Sequence, residues 1–426
     1  MSFRINELFN CPISLNRLYN CGFLSTYLDL FAEWMKRQKF ADDTMQKHIS
    51  CVAHFSYSLG GIKPDIQDIN PYIQHFLKNH IPVCTCKGWK KPQNKKVISY
   101  SINRFKNYLS ECCGIHFKSK NLPYSEVHNE YCCWLSEKFR LADSTITIRS
   151  NYLKQFFKWY QETSNNQLLQ CITPFDVETF YIHATQQCEG KAYKRSLQST
   201  LRSFFDFCYE QGYTSQNLRF SLPSIRVYRN SDVPKKIEYT EAIKLIDSID
   251  RSTLRGKRAY AIILILNTYG IRGCQLRALE IQDIDWYKDE IHFPAVKNGK
   301  SCSFPLTAKV GNALLDYLKY ARHKCQYKEV FMTARAPFRP LTNSNNLSQI
   351  IRSEILLSGI ESPSKGTHCF RHGFIYKMLK QGESFKHIAD LVGHKNIQTT
   401  YIYTKIDFAS LADVALELPE ADYETC

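Results

Sequence analysis

Four short segments in the C-terminal half of this 426-residue chain hold side chains of one chemical character. TYGIRGCQLRALEIQDIDW carries Arg272 just after a helix-ending glycine. The turn Lys297-Asn298-Gly299-Lys300 joins two apolar runs. THCFRHGF carries His368, Arg371 and His372, and LVGHKNIQTTYIYTKI places His394 nine residues before Tyr403. Arginines are forked cations that bind phosphate oxygens in pairs, and a phosphoryl-transfer transition state concentrates charge on those oxygens. His368 lies one helical turn before Arg371, so the two project from one face. A tyrosine, with a pKa of about 10, needs a base or a strong positive field to act as a nucleophile. A lysine at a hairpin tip can protonate a leaving hydroxyl, because neighbouring cations lower its pKa. No cluster of carboxylates accompanies these groups, which argues against two-metal phosphodiesterase chemistry. Cations, a phenol and a proton donor describe metal-free phosphoryl transfer.

Taken singly, each residue has an ordinary reading. Arg272 is then a surface arginine, His368 and His372 are satisfied core histidines, and Gly393-His394 is a helix C-cap. Order and spacing together argue otherwise. The set resembles the tyrosine recombinase (phage integrase) family, whose pattern is Gly-x-Arg at a helix start, a hairpin lysine, His-x-x-Arg-His, Gly-His, and a tyrosine nine residues on. The matching positions are Arg272, Lys297, His368 with Arg371, Gly393-His394 and Tyr403. Lys300 is the fallback for Lys297, Tyr401 competes with Tyr403, and His372 is read as a buttress.

The resemblance covers roughly residues 236–410 and implies a DNA strand-exchange enzyme. In such an enzyme Arg272 and Arg371 grip the scissile phosphate, His368 and His394 add hydrogen bonds, and Tyr403 attacks to give a 3′-phosphotyrosine. Lys297 protonates the 5′-hydroxyl, and no cofactor or metal is required. It further implies double-stranded DNA with specific sites as partner, a tetramer on that DNA, and a C-terminal segment exchanged between subunits. Residues 407–418 (DFASLADVALEL) have the apolar spacing for that segment. Integration or transposition of a mobile element is the expected task. A topoisomerase or resolvase with the same chemistry, or a catalytically silent DNA-binding subunit, are the alternatives. One position departs from the family: Gln275 stands where an acid usually follows the first arginine by three residues.

These groups must be held by a scaffold, and the rest of the chain describes one. Residues 256–269 form an apolar helix leading to Arg272, and Ile291 to Pro294 with Ser301 to Pro305 form the hairpin around Lys297. Upstream, the chain repeats itself. Trp34, Ala41-Asp42 and Thr44 in residues 31–59 align with Trp134, Ala142-Asp143 and Thr145 in residues 131–160. Apolar residues recur at helical spacing in both copies, as in Ile148, Tyr152, Phe156 and Tyr160, and Asp42-Asp43 and Asp143-Ser144 supply N-cap chemistry. The expected fold is therefore mainly α with a small β-hairpin: tandem helical N-terminal domains plus an α+β catalytic domain. Residues 1–121 form the first helical domain, 122–226 a core-binding domain, and 227–426 the catalytic domain, with the polar stretch Pro223 to Pro234 as linker.

Charge and composition set the partners. Net charge is +16, an excess that fits a polyanion: DNA, RNA or an acidic membrane surface on charge alone. From Ile69 to Ser110 there is no acid, while Lys78, Lys87, Lys90, Lys91, Lys95, Lys96, Arg104 and Lys106 all lie there, as on a phosphate-tracking surface. The most apolar run, Ala261 to Leu266, is far shorter than the roughly 20 residues a bilayer requires, and Met1 to Leu15 lacks a secretory pattern. A cytoplasmic protein with reduced thiols is expected, despite 17 cysteines. His80, Cys84, Cys86, Cys112, Cys113 and His116 are donor types that suit zinc, but no standard Cys-x2-Cys pair is among them, and ordinary packing is the preferred reading.

Overall fold

The computed structural model describes residues 3–89, 95–117, 124–164, 168–186, 188, 190–222, 234–296, 300–341, 344–394, 400 and 403. By their contacts they divide into two compact units. One is Met1–Gly61 with Cys84–Tyr108 and Asp232–Cys426; the other is Ile62–Val83 with Leu109–Ser231. Residues 223–233 of the expected linker Pro223 to Pro234, the expected domain boundaries near 121 and 226, and residues 407–418 lie outside the described residues.

The internal repeat is visible as a repeated backbone. In the first copy α1 (Leu28–Arg37) leads to α2 (Asp42–Ser58), followed later by α3 (Lys95–Cys113); in the second, α4 (Ser125–Phe139) leads to α5 (Asp143–Thr163). Lys39 (φ 62°) and Arg140 (φ 47°) both take the left-handed conformation that ends a helix. At each end the following N–H reaches back to a carbonyl of the last turn, Phe40 to Met35 at 3.1 Å and Leu141 to Leu135 at 3.4 Å. Phe31 stacks on Trp34 (6.1 Å, 19°) as Tyr131 stacks on Trp134 (5.9 Å, 24°). One expectation is corrected. The N-caps are Ala41 and Ala142, both extended and without a side-chain bond, while Asp42 and Asp143 are the first helical residues. There their carboxylates favour the positive end of the helix dipole instead of capping a backbone N–H.

In the second unit α4 and α5 are joined by α6 (Pro174–Gln186) and α7 (Lys191–Glu210) around a core of aromatics, among them Tyr131, Phe156, Phe157, Phe180 and Phe204. Its open cleft is lined by Arg149, Arg195, Arg202 and Arg219, with Asp206 the acid among its lining residues.

A further core is built on α8 (Leu254–Tyr269), whose stretch Arg258 to Leu266 is buried on every side. Thr253 caps it, its hydroxyl accepting from the Gly256 N–H at 3.0 Å. Gly256 has no room for a side chain, since a Cβ would fall 1.7 Å from the Asp250 carbonyl oxygen. Beside α8 lies an antiparallel sheet of β1 (Ile284–Asp285), β2 (Glu290–Phe293) and β3 (Cys302–Pro305), with Ile291 opposite Phe304 and Phe293 opposite Cys302. Ile291 and Phe293 are buried while Glu290 and His292 are half-exposed, the alternation of a one-sided sheet. The Tyr269 hydroxyl at the end of α8 donates to the Pro305 carbonyl at 2.9 Å, fastening helix to hairpin. The expected mainly α architecture with a small sheet is what the chain adopts. Among the described residues, no helix is long and apolar enough to cross a membrane.

Candidate active site

Three helix ends build the site. Gly270 ends α8 in the left-handed conformation (φ 58°), and a Cβ there would strike the Phe374 ring at 2.4 Å. The chain then turns into the short helix α9 (Gly273–Ala278), and Arg272 is its N-cap, so its side chain leaves from a fixed corner. The second end belongs to α10 (Thr367–Lys380), which presents His368, Arg371 and His372 on one face. The third is the C-terminus of α11 (Phe385–Leu391). There the Gly393 N–H bonds Asp390 O at 3.0 Å and the His394 N–H bonds Ala389 O at 2.8 Å, with Gly393 left-handed at φ 63°. This is a Schellman turn. The C-cap reading of Gly393 and the catalytic one are thus compatible, because the turn aims the Val392 and Gly393 carbonyls at the arginines.

Both guanidiniums converge there. Arg272 donates to Val392 O at 3.3 Å and to Gly393 O at 3.0 Å. Arg371 donates to the same Val392 O at 2.6 Å and to Gly270 O at 2.9 Å. Arg371 is 4% exposed; burial, then the charge of Arg272, pushes its pKa down to about 10, which leaves it charged at neutral pH. Two cations whose bonds go to backbone carbonyls instead of carboxylates make a region suited to an anion with several oxygens.

The histidines around them are neutral. His394 is buried and pairs through Nδ1 with the Thr400 hydroxyl at 2.8 Å; burial and the two arginines push its pKa down to about 3. Partial desolvation, then Arg371 and Arg272, also lowers the pKa of His368, whose ring lies 6.1 Å from that of His372. His372 is pushed down to about 4 by burial, His368 and Arg371. Its Nδ1 is hydrogen-bonded to the Tyr403 hydroxyl. Tyr403 is 2% exposed, packed against Ile375, Ile388 and Val392. Burial raises its pKa to about 12, against the opposing pull of Arg371, so the phenol holds its proton and a neutral imidazole is there to accept it.

The sequence-predicted residues Arg272, His368, Arg371, His394 and Tyr403 thus lie on three neighbouring helix ends and the segment that follows them. Lys297 and the rival Tyr401 lie outside the described residues; the two shoulders of the Lys297 turn, Pro294 and Lys300, are placed. Three participants do not follow from the sequence as such: His372 as the partner of the tyrosine, Thr400 as the partner of His394, and Gln275 as a brace. The position of His372 four residues after His368 on one helix is the available signal.

Gln275 explains itself by its bonds. Its Oε1 accepts from the Arg272 N–H at 3.2 Å, and its Nε2 donates to Pro294 O at 3.3 Å and Lys300 O at 3.4 Å. It ties the backbone of Arg272 to both shoulders of the hairpin turn, and at 1% exposure no water substitutes for it. An ionised carboxylate could accept from Arg272 but could not donate to the two carbonyls. Gln275→Leu is expected to cost about 2 kcal/mol or more by leaving buried polar groups unpaired, read as a lowered denaturant midpoint. An unchanged midpoint would mean that the hairpin is held by other contacts.

Residues 235–410 match the family model described as the phage integrase family. The protein y4gC of Sinorhizobium fredii, described as a candidate integrase/recombinase, is 33% identical over 189 residues, covering 44% of this chain and 97% of that one. The chain belongs to the phage integrase, or tyrosine recombinase, family. A second such protein of S. fredii, y4rA, is 38% identical over 221 residues, 52% of this chain; the chain spans about half of that relative's length (54%). Among solved structures, the XerH site-specific recombinase bound to palindromic difH substrate superposes with a TM-score of 0.53 at 16% identity, covering 82% of this chain and 97% of that chain. That likeness establishes a shared recombinase fold. Within this integrase-family chain, the matched residues 235–410 include every candidate catalytic position named above.

Proposed function

We propose that the chain is a site-specific DNA recombinase that cuts and rejoins strands through Tyr403. The observation that carries the reading is the convergence of Arg272 and Arg371 on the single carbonyl of Val392, next to His394 and to the His372–Tyr403 pair. A scissile phosphate entering there exchanges those carbonyls for its own oxygens, and it receives forked donors from two directions. His368 and His394 add hydrogen bonds that strengthen as charge builds on the phosphate.

The Tyr403 oxygen attacks phosphorus as its proton passes to His372, the bond from phosphorus to the 5′ oxygen breaks, and Lys297 gives that oxygen a proton. The product is a 3′-phosphotyrosine and a 5′-hydroxyl. A 5′-hydroxyl from a partner strand then attacks the phosphotyrosine, giving its proton back to Lys297, while the departing Tyr403 oxygen recovers its proton from His372. The phosphodiester energy is kept in the covalent bond, so the reaction needs no nucleotide cofactor.

Double-stranded DNA bearing specific sites is the partner in this reading, and +16 of net charge and the arginine-lined cleft of the second unit support it. The division into 1–121, 122–226 and 227–426 gives an accessory helical domain, a core-binding domain and a catalytic domain. Four copies assemble on two sites, with residues 407–418 passing between subunits, in the cytoplasm. Integration or transposition of a mobile element is the task we favour. The buried Tyr403 supports a second reading, a subunit that binds DNA without cutting it.

The deciding experiment uses DNA from the flanks of the protein's own gene, nicked so that a cleaved strand cannot be resealed, with a chelator present. A covalent adduct whose digestion yields a nucleotide-linked peptide containing Tyr403 is expected. Specific binding without any adduct would establish the silent subunit instead.

A further inference from the structure

The segment His80-Ile81-Pro82-Val83-Cys84-Thr85-Cys86 carries soft donors that strand exchange does not use. Cys84 is 4% exposed, and its Sγ lies 3.4 Å from Nε2 of His54, a residue of α2 that is itself 3% exposed. The ligand atoms of His54, Cys84 and Cys86 all fall within 4.8 Å of one another. A tetrahedral zinc with its usual bonds to sulfur and nitrogen holds such atoms about 3.6 Å apart, so the Cys84–His54 separation already suits a shared ion. An ordinary buried thiol–imidazole pair accounts for that distance too, but not for the second thiol arriving at the same point.

The surroundings hold the donors in place. The His54 ring lies flat on Trp89, centroids 5.4 Å apart and planes 7° from parallel, which fixes where its nitrogen points. Arg17 sits 5.8 Å from the Trp89 ring and donates to the Gly88 carbonyl, clamping the same loop. The Cys86 N–H points at Cys84 Sγ at 3.5 Å, the kind of donation that steadies a thiolate on a metal. Of the donors that sequence grouped here, Cys112, Cys113 and His116 are exposed. His54 escapes a reading of the sequence because it stands 26 residues before His80.

We propose that His54, Cys84 and Cys86 bind one zinc ion that fastens the Cys84–Trp89 loop to α2. Two thiolates and an imidazole are a donor set that favours zinc over hard cations. The fastened loop carries Lys87 and leads into Lys90, Lys91, Lys95 and Lys96, so the ion would set where the acid-free basic segment is presented.

The test uses the full chain, purified without chelator from zinc-supplemented medium. One zinc per chain is expected by atomic emission, with its removal lowering Tm and its return restoring it. Cobalt(II) in its place should show tetrahedral ligand-field bands and thiolate charge transfer, and Cys86→Ser should weaken the charge transfer even if Cys84→Ser fails to fold. The Cys112→Ser, Cys113→Ser double variant should keep its metal. A wild-type chain that is folded by circular dichroism, yet holds no zinc and gives no thiolate–cobalt band, would overturn the proposal. So would loss of metal from the Cys112, Cys113 variant alone. Both metal readouts are independent of DNA cleavage.

Discussion

Tyr403→Phe is expected to abolish strand cleavage while leaving DNA binding unchanged. The attacking atom in the proposed reaction is the phenol oxygen, and phenylalanine has none, so no covalent adduct can form. The fold should tolerate the change. The ring packs against Ile375, Ile388 and Val392, and phenylalanine keeps that packing while giving up the hydroxyl's bond to His372. Removing that bond should cost about 1 kcal/mol. Binding depends on cations that the substitution does not touch. The two measurements are a gel shift on the specific site and a denaturing gel of a nicked substrate. A variant that shifts DNA as the wild type does but yields no adduct is the expected pair of results. Any adduct formed by Tyr403→Phe would move the nucleophile elsewhere, with Tyr401 the first residue to examine. In the described conformation the hydroxyl is buried and its pKa is raised to about 12, so cleavage also requires Tyr403 to leave its packing. Faster cleavage by a variant that loosens Ile388 would be consistent with such a step.

Much of the scaffold is legible because it follows from local rules. The apolar helix before Arg272 has no polar stripe, and its stretch Arg258 to Leu266 is buried all round. The alternation in Glu290–Phe293 and the Asn-Gly at the following turn foretell β2 and β3 within a residue. The tandem copies are readable from Trp34 and Trp134, and the shared left-handed Lys39 and Arg140 give that repeat a backbone cause. What cannot be read is contact across the chain. Nothing in the spacing shows that Arg272 reaches a carbonyl 120 positions on, or that Gln275 spans to Pro294 and Lys300. The helix starts fail for a different reason. An aspartate at the first helical position serves the dipole as well as one at the cap serves an N–H, and sequence alone does not separate the two. His372 is readable as a buttress, but what it supports, the Tyr403 hydroxyl, follows only from the fold.

Arg371→Ala is expected to remove both cleavage and a measurable part of stability, and comparison with Arg272→Ala separates the two effects. Arg371 is 4% exposed and satisfies the carbonyls of Gly270 and Val392. Alanine leaves a cavity there and strips the Gly270 carbonyl of a donor that ties α8 to α10, so unfolding should become easier by about 2 kcal/mol or more. Arg272 is only half-buried, and Val392 O keeps Arg371 as a donor when Arg272 is removed. Arg272→Ala should therefore cost less stability. In catalysis the two should be alike, because each guanidinium faces the same phosphate. Losing either should raise the barrier by about 3 kcal/mol or more, at least about a hundred-fold in rate. Arg371→Lys keeps the charge but not the fork, and should recover stability only in part because one ammonium cannot face both carbonyls in the arginine's geometry. Single-turnover cleavage and denaturant unfolding, measured on the same preparations, decide the matter. A folded Arg371→Ala that cleaves at nearly the wild-type rate would reduce this arginine to a strut between helices, and the phosphate would have to be assigned to Arg272 alone.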